Sequence, residues 1–226
     1  MANRPLYLPM PHQKNLVNTI SLEFEWHPGF AIVQKQKSIQ SLHVAASKIT
    51  DGNLLEISGK SPEMLGKSLS AFSLILKREN WPQCSVECAF QGSKVFENGG
   101  PFTDLYEVSS KDAKRDARLR SSGNLIGFCW LGEDWPIKPR TYFYDWLYIN
   151  ALSQNQTLAD QLINFAGFTD IEFNPAKSIN CQAHSAALYV ALQKSGQLVS
   201  VLASKEELKS KLSNTKTTAP VQGVLI

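Results

Sequence analysis

Residues 85–97, with the sequence SVECAFQGSKVFE, restrict the possible fold of this chain more than any other stretch does. Ser85 is a good helix N-cap, and Glu87 in the first turn suits the positive end of the helix dipole. At 100° per residue, Glu87, Gln91 and Lys94 lie within roughly 60° of one another, and apolar groups cover most of the remaining surface. A helix that is apolar nearly all round is usually buried. We therefore predict a buried helix over 85–97 with one narrow polar face.

The polar face of this helix has two interpretations. Glu87 and Lys94 could form an ion pair two turns apart, or the face could be exposed and have no chemical role. Alternatively, a buried acid, amide and amine line a pocket, in which case burial lowers the pKa of Lys94. A partly neutral lysine is what an amine nucleophile requires. The pattern alone leaves both interpretations open.

The composition of the chain is that of a globular protein, with 226 residues, 43% of them apolar and 19% charged. A single domain of this size is the simplest expectation. No uncharged apolar run is long enough to cross a membrane, and the first residues, MANRPLYLPMPHQ, contain no apolar signal core. We therefore expect a cytoplasmic protein without membrane contact. The net charge of +3 is compatible with a polyanionic partner but does not require one.

The four cysteines are expected to be reduced, buried and structural. Cys84 and Cys88 have the spacing of half a metal site, but no pair of histidines or cysteines at ligand spacing completes it. The four histidines are scattered along the chain. Phosphate-binding glycine loops, nucleophile elbows and metalloprotease motifs are also absent from the sequence. We expect neither a metal nor a cofactor.

The remaining elements predict a helix-rich α+β fold, a compact single domain with a small sheet. Strands are expected at 20–26, 54–59 and 70–76, a buried strand or loop at 124–137, and helices at 30–49, 109–121, 141–153, 157–166, 178–195 and 205–212. Gly167, Ser178 and Gly196 are assigned as a helix C-cap, an N-cap and a helix stop. Residues 1–204 are expected to form the domain, and 205–226 a short helix with a mobile tail.

The predicted helix at 109–121, SSKDAKRDARLRS, alternates charges of opposite sign. Such a pattern is typical of a solvated surface helix. The alternative is contact with phosphate groups, for which the candidates are Lys114, Arg115, Arg118 and Arg120.

Two segments together resemble the signature of the NADAR family, in which a stretch like LSNFY precedes a helix reading roughly SxExxFQxxKF. Residues 69–74, LSAFSL, match the first part, with Ala71 where the family often has Asn; residues 84–97, CSVECAFQGSKVFE, match the second. Weaker similarity over 144–162 and 167–188 extends the resemblance to about 65–195. The stretch 21–43 and the GGPFTDLY that follows the helix resemble the NADAR antitoxins encoded beside DarT-type toxins.

This resemblance implies an enzyme, because those toxins attach ADP-ribose to guanine bases of DNA and the antitoxins remove it. The expected activity is that of a hydrolase, an N-glycosidase, with ADP-ribosylated DNA as substrate and ADP-ribose as product; the cognate toxin is a further candidate partner. Lys94 would form a Schiff base with the opened ribose, Glu87 would transfer protons, and Gln91 would orient the ribose hydroxyls. In a direct displacement, the rival chemistry, Glu87 would be the main catalyst and Lys94 an electrostatic aid.

Further candidate binding residues come from the motifs and from residue chemistry. Phe90, Ser70 and Phe72 match the family motif, Gly100 could present its backbone to a phosphate, Asp104 could bond a hydroxyl or cap a helix, and Arg140 could clamp a phosphate. Plain structural roles remain open for the last three. Trp146 is the first candidate for base stacking, with Trp26 and Trp135 as alternatives, and Asp170, Glu172 and Asn180 compete for one assisting role near the C-terminus.

Three other functions remain open from the sequence. Some NADAR proteins resemble N-glycosidases that act on riboflavin-pathway intermediates, a binding module could recognise ADP-ribose without cleaving it, and an antitoxin could neutralise its toxin by direct binding. The presence of both Glu87 and Lys94 favours an enzyme, because a protein that only binds has no need of a buried amine.

Overall fold

Two long strands at the N-terminus form an antiparallel β-hairpin that is paired over its full length. The computed structural model describes residues 1–77 and 82–213, and it has the helix-rich α+β architecture expected from the sequence. The strands are, in chain order, β1 (Ala2–Pro9), β2 (Val17–Phe24), β3 (Leu54–Glu56), β4 (Ile75–Leu76), β5 (Cys84–Ser85), β6 (Lys94–Phe96), β7 (Leu125–Trp130), β8 (Glu133–Trp135) and β9 (Gly167–Thr169).

Helices surround and separate these strands. They are α1 (Ile32–Ala46), α2 (Met64–Ser68), α3 (Val86–Gly92), α4 (Ser110–Arg115), α5 (Arg118–Ser121), α6 (Tyr142–Ser153), α7 (Gln156–Leu162), α8 (Gln182–Lys194), α9 (Leu198–Ala203) and α10 (Lys205–Ser213), with a 3-10 helix at Thr103–Tyr106. The final helix expected at 205–212 is α10, whereas residues 214–226, where a mobile tail was expected, lie outside the described residues.

The strands form three small sheets. The largest has the order β2-β1-β9-β3, in which β3 and β9 are parallel and the other pairs antiparallel. A second sheet, β6-β7-β8, is an antiparallel meander that follows α3 directly. The third pairs β4 with β5, just before α3 begins. Two of the three sheets therefore fix the two ends of α3.

The main core lies where α3, α6 and α8 pack together. Large aromatic side chains of α6, including Phe143 and Tyr148, are almost fully buried, and α8 contributes the small residues Ala183, Ala186 and Ala187. Small side chains on one helix leave room for large ones on its neighbour, which gives dense packing. This arrangement holds α3 firmly inside the molecule.

Several expected boundaries are wrong for identifiable reasons. The single helix expected at 109–121 is divided into α4 and α5, because Asp116 leaves the helical conformation and its Oδ1 accepts hydrogen bonds from the backbone N–H and Nε of Arg118. Gly167 is not a C-cap: α7 ends at Leu162, and Gly167 lies in β9, where a Cβ would come within 2.9 Å of the side chains of Leu54 and Leu8.

The start of the long C-terminal helix also differs from the prediction. Ser178 is not its N-cap, because α8 begins only at Gln182; residues 174–178 form a turn in which Asn174 accepts hydrogen bonds from Ala176, Lys177 and Ser178. The stop at Gly196 is confirmed, with φ of +70° after the last turn. Strands β1 and β9 were not predicted, since neither shows an apolar and polar alternation. Within the described residues, no helix is both long enough and apolar enough to cross a bilayer.

Candidate active site

The site is built around α3, whose seven residues are all buried. Ser85 is its N-cap, as predicted, and its hydroxyl accepts a hydrogen bond from the backbone N–H of Cys88 at 3.0 Å. The backbone N–H of Glu87 donates to the carbonyl of Ala71 at 2.9 Å, so the turn formed by residues 69–74 fixes the first turn of the helix. The two halves of the sequence motif therefore lie directly against each other.

Lys94 does not belong to α3, contrary to the predicted helix over 85–97. The helix ends at Gly92, and Lys94 begins β6, opposite Phe128 of β7. The carbonyl of Ser93 accepts a hydrogen bond from the backbone N–H of Cys129 at 2.7 Å, which draws the chain into the sheet. Pairing with β7 thus ends the helix before Lys94, and Lys94 approaches Glu87 from a strand.

Four polar residues meet at α3, and we refer to Glu87, Gln91, Lys94 and Lys114 as the Glu87 cluster. Oε1 of Glu87 accepts a hydrogen bond from Nε2 of Gln91 at 2.9 Å and lies 3.6 Å from Nζ of Lys114. The Glu87 side chain is only 7% exposed, whereas that of Lys114 is 58% exposed. A buried carboxylate is stabilised by such partners. The ion pair of Glu87 is therefore formed with Lys114, which reaches inward from α4.

The Lys94 amine is held against an aromatic ring, with Nζ 5.0 Å from the ring centroid of Phe90. Burial lowers the pKa of Lys94 to about 8; the charge of Glu87 acts in the opposite direction, and that of Lys114 lowers the pKa further. At pH 7 about a tenth of such an amine is neutral, far more than for an ordinary lysine. The surroundings of Lys94 are those expected for an amine nucleophile.

Two side-chain oxygens in the predicted site are buried without a hydrogen-bond partner among the described residues: Oε1 of Gln91 and Oδ1 of Asn180. A buried polar atom of this kind is costly unless something bonds to it. Both are amide oxygens and accept hydrogen bonds, so each suits a hydroxyl group of a ligand.

A second buried acidic centre contains Asp170 and Glu56. Burial, and then the charge of Glu56, raise the pKa of Asp170 to about 8, although its Oδ1 accepts hydrogen bonds from the backbone N–H groups of Glu172 and Phe173. Glu56 is held by the hydroxyl of Thr169 at 2.6 Å, and burial also raises the pKa of its carboxyl. Burial thus favours the protonated form of both carboxyl groups.

The two acidic centres are connected through the protein interior. Gln182, which bonds to Asp170, also accepts a hydrogen bond from the backbone N–H of Ala71 at 2.7 Å, and Ala71 in turn holds Glu87. Tyr144 is buried on α6, and its pKa is raised by burial and then by nearby charges that include Glu87 and Asp170. Its ring packs edge to face against that of Phe90, with centroids 5.2 Å apart. Asp170 therefore lies on the side of the core that faces α3.

Phe90 belongs to α3 itself, and three further predicted residues, Ser70, Phe72 and Gly100, lie in segments near this helix. Phe90 is buried in an aromatic core cluster, and the hydroxyl of buried Ser70 donates to that of Ser73. Phe72 is 41% exposed, and its ring centroid lies 5.1 Å from Nζ of Lys114. Gly100 has φ of +87° and backs onto the carbonyl of Lys94.

Other predicted residues lie at the surface. Asp104 is exposed and forms a bidentate ion pair with Arg118, at 2.6 and 3.2 Å, which occupies both of its oxygens. Arg140 is exposed in the segment before α6, and Glu172 is exposed and paired with Lys35 at 3.4 Å. These contacts do not join the three residues to the Glu87 cluster.

The three tryptophans considered for base stacking have different surroundings. Trp135 is buried, and partly exposed Trp146 packs against it with ring centroids 4.7 Å apart. Trp26 is partly exposed between Arg4 and Lys35, which lie 5.4 and 4.7 Å from its ring centroid. Cation–π contacts with two side chains hold the indole of Trp26 at the surface. Trp146 therefore stays the candidate for stacking.

Sequence reasoning missed Tyr144 and Gln182 and the contact between Lys114 and Glu87. Tyr144 has the appearance of an ordinary core aromatic, and Gln182 begins a helix whose start was misplaced. Lys114 was noted only for phosphate contact, since nothing in its local pattern pointed to a buried carboxylate on another helix. The four cysteines are free, as expected.

A buried acid, an amide and an amine of lowered pKa thus meet at the central helix of an α+β domain. This arrangement is that of a candidate enzyme. A family model described as the DarT1-associated NADAR antitoxin matches residues 2–222, and the chain belongs to that family. The resemblance drawn from residues 69–97 is thereby confirmed. Comparison with curated proteins gives no match.

Proposed function

We propose that this antitoxin-family protein is a glycosidase that removes ADP-ribose from guanine bases of DNA and so reverses the action of a DarT-type toxin. The observation that carries the proposal is the Lys94 amine, whose pKa of about 8 results mainly from burial, in a cluster with the buried carboxylate of Glu87. Membership of the family supports the antitoxin role.

The bond to be broken joins the ribose carbon, at the oxidation level of an aldehyde, to an exocyclic nitrogen of guanine. The Glu87 carboxylate takes the proton of the base N–H and passes it to the ring oxygen as the C1–O bond breaks, which opens the sugar to an imine with the base nitrogen. Neutral Lys94 adds to this carbon, guanine leaves as the free amine after receiving a proton, and a lysyl imine remains. Water then adds to the imine and releases ADP-ribose, which regenerates both residues.

The surrounding residues suit this sequence of steps. Gln91 donates to Glu87 through its nitrogen, and its buried Oε1 is left to accept a hydrogen bond from a ribose hydroxyl. Lys114 can exchange Glu87 for a phosphate group because its side chain is largely exposed. Asp170, whose pKa is raised by burial, is a further candidate for contact with the substrate, and Asn180 offers an acceptor.

A function limited to binding, either of ADP-ribose or of the toxin, makes no use of the amine. A neutral lysine costs stability, because the folded protein holds it away from the water that would solvate its charge. Such a cost is expected where catalysis requires it. The cognate toxin nevertheless remains a candidate physical partner.

The direct test is incubation of the protein with single-stranded DNA that carries ADP-ribose on guanine. We expect release of free ADP-ribose and unmodified guanine, seen by mass spectrometry. Glu87→Gln, which keeps the shape of the side chain, should lower the rate at least ~10²-fold, as is usual for loss of a general acid and base. Glu133→Gln, a change in an exposed residue of β8, is the matched control and should leave the rate unchanged. Modified DNA that stays intact with the wild-type protein would disprove the proposal.

A further inference from the structure

A groove of about 550 Å³ lies beside the Glu87 cluster. Its lining includes Phe72, Ile75, Cys84, Ser85, Val108 and Ser110. Phe72 links the groove to the cluster, because its ring also contacts Lys114, and Lys114 pairs with Glu87. The volume falls within the range of small-molecule sites, ~300–1,000 Å³.

The serine hydroxyls of the groove are engaged in hydrogen bonds within the protein. The hydroxyls of Ser85 and Ser110 are 2.8 Å apart, and that of Ser110 also donates to the carbonyl of Phe72 at 2.9 Å. Ser109 donates to the carboxylate of Asp112 at 2.6 Å. The aromatic and apolar surface of the groove comes from side chains such as Phe72, Ile75 and Val108.

Phe72 and Val108 provide the accessible part of that surface, at 41% and 39% exposure. Aromatic and apolar surfaces bind the flat face of any nucleobase without reading its hydrogen-bonding edge. The groove therefore suits a base whose identity does not matter.

Exposed cations lie close to the lining residues in the chain. Lys77 is two residues beyond Ile75, and Lys111 follows Ser110 directly; Lys114 and Arg115 lie further along the same helix. Among the described residues, the exposed acid Glu107 lines the groove itself, and the nearby Asp112 is engaged with Ser109. A surplus of cations matches the charge of successive phosphate groups.

We propose that this groove binds a nucleotide of single-stranded DNA next to the modified guanine, with its base against Phe72 and Val108. The inference rests on the proposed function, since the modified guanine must lie at the Glu87 cluster. The adenine of ADP-ribose is a less suitable occupant, because a fixed ligand is usually recognised by polar groups. The unpartnered oxygens of Gln91 and Asn180 are not part of this groove.

The test compares two binding measurements on the intact protein: the Kd of an unmodified, fluorescently labelled single-stranded oligonucleotide at low ionic strength, and the Kd of ADP-ribose. Val108→Trp fills the groove, and Phe72→Ala removes the aromatic surface. We expect each to weaken oligonucleotide binding about tenfold, which is within the range for losing one stacked base. Val108→Trp should bind ADP-ribose with unchanged affinity. The wild-type protein should bind oligonucleotides that differ in the base beside the guanine with equal affinity.

Val199→Trp is the matched control, since Val199 is 79% exposed on α9 and is not part of the groove lining. The inference is overturned if Val108→Trp binds the oligonucleotide like Val199→Trp, if wild type shows no binding, or if Val108→Trp loses affinity for ADP-ribose alone, which would place the adenine in the groove. Because these are binding measurements, they give an answer even when modified DNA is not cleaved, so that failure of the proposed function is seen separately.

Discussion

Among single residues, Lys114 contacts one charged group of the site and affects the other. It lies 3.6 Å from the carboxylate of Glu87, and its charge is one of the causes that lower the pKa of Lys94. The charges that act on Lys94 are thus one anion and one cation, from α3 and from α4. We therefore expect Lys114 to tune the pair without taking part in the bond exchange.

Replacement of Lys114 by Met should shift the pH profile of the reaction. Loss of the repelling charge, together with release of Glu87, raises the pKa of Lys94, so a smaller fraction of the amine is neutral at pH 7. We expect kcat at pH 7 to fall about threefold to tenfold, with recovery at higher pH, because one pKa unit changes the neutral fraction about tenfold. The measurement is the rate of ADP-ribose release between pH 6 and about 10, the reference pKa of lysine.

Lys194→Met is the control for this change, since Lys194 is exposed at the end of α8 and belongs neither to the Glu87 cluster nor to the groove lining. Lys114→Arg, which keeps the charge, should stay close to wild type. In the pH profile, the rise in rate as the amine loses its proton should move to higher pH in Lys114→Met. A rise that stays at the same pH, or that moves to lower pH, would contradict the tuning role.

At the scale of elements, the turn between β6 and the 3-10 helix determines where Lys94 lies. Gly100 has φ of +87°, and a Cβ on it would come 2.2 Å from the carbonyl oxygen of Lys94. Only glycine combines that conformation with so close a backbone approach. The backbone at Lys94 is therefore packed against a glycine six residues further along the chain.

Gly100→Ala should both destabilise the protein and displace Lys94. We expect a loss of about 2–4 kcal/mol, from the left-handed conformation and the backbone clash together. Gly132→Ala is a matched control: Gly132 also has positive φ, +81°, but a Cβ there would meet nothing within 4 Å, so about 1–2 kcal/mol is expected. Denaturant unfolding measures the loss in free energy of unfolding for each of the two variants. Equal losses in the two variants would show that the contact with Lys94 does not constrain the turn.

Elements also show how far local sequence can predict this site. The N-cap of α3 was predicted from the residue type of Ser85. The burial of the helix and the proximity of Glu87 to Gln91 were predicted from a repeat of 3.6 residues. The end of α3 was not, because it is decided by hydrogen bonds to β7, a strand that begins far along the chain. The charge of Glu87 nevertheless acts on the Lys94 amine, which approaches from a different element.

At the scale of the whole molecule, the fold class and the family were predictable, and the second acidic centre was not. Asp170 stood as one of three equal candidates in the sequence. The structure separates them by burial: Asp170 shares the interior with Glu56, Glu172 is exposed, and Asn180 has one buried, unpartnered oxygen. Such differences arise from packing of β3, β9 and α8, which are distant in sequence, so local patterns do not contain them.

The whole arrangement gives the Lys94 amine its lowered pKa, and covalent catalysis by this amine is the central claim. The most direct measurement is reduction with borohydride during reaction with ADP-ribosylated single-stranded DNA, followed by peptide mapping. We predict a stable adduct of ADP-ribose on Lys94, formed by reduction of the lysyl imine, with no adduct and no turnover in Lys94→Ala. Release of ADP-ribose at the usual rate with no trapped adduct, and an active Lys94→Ala, would contradict it.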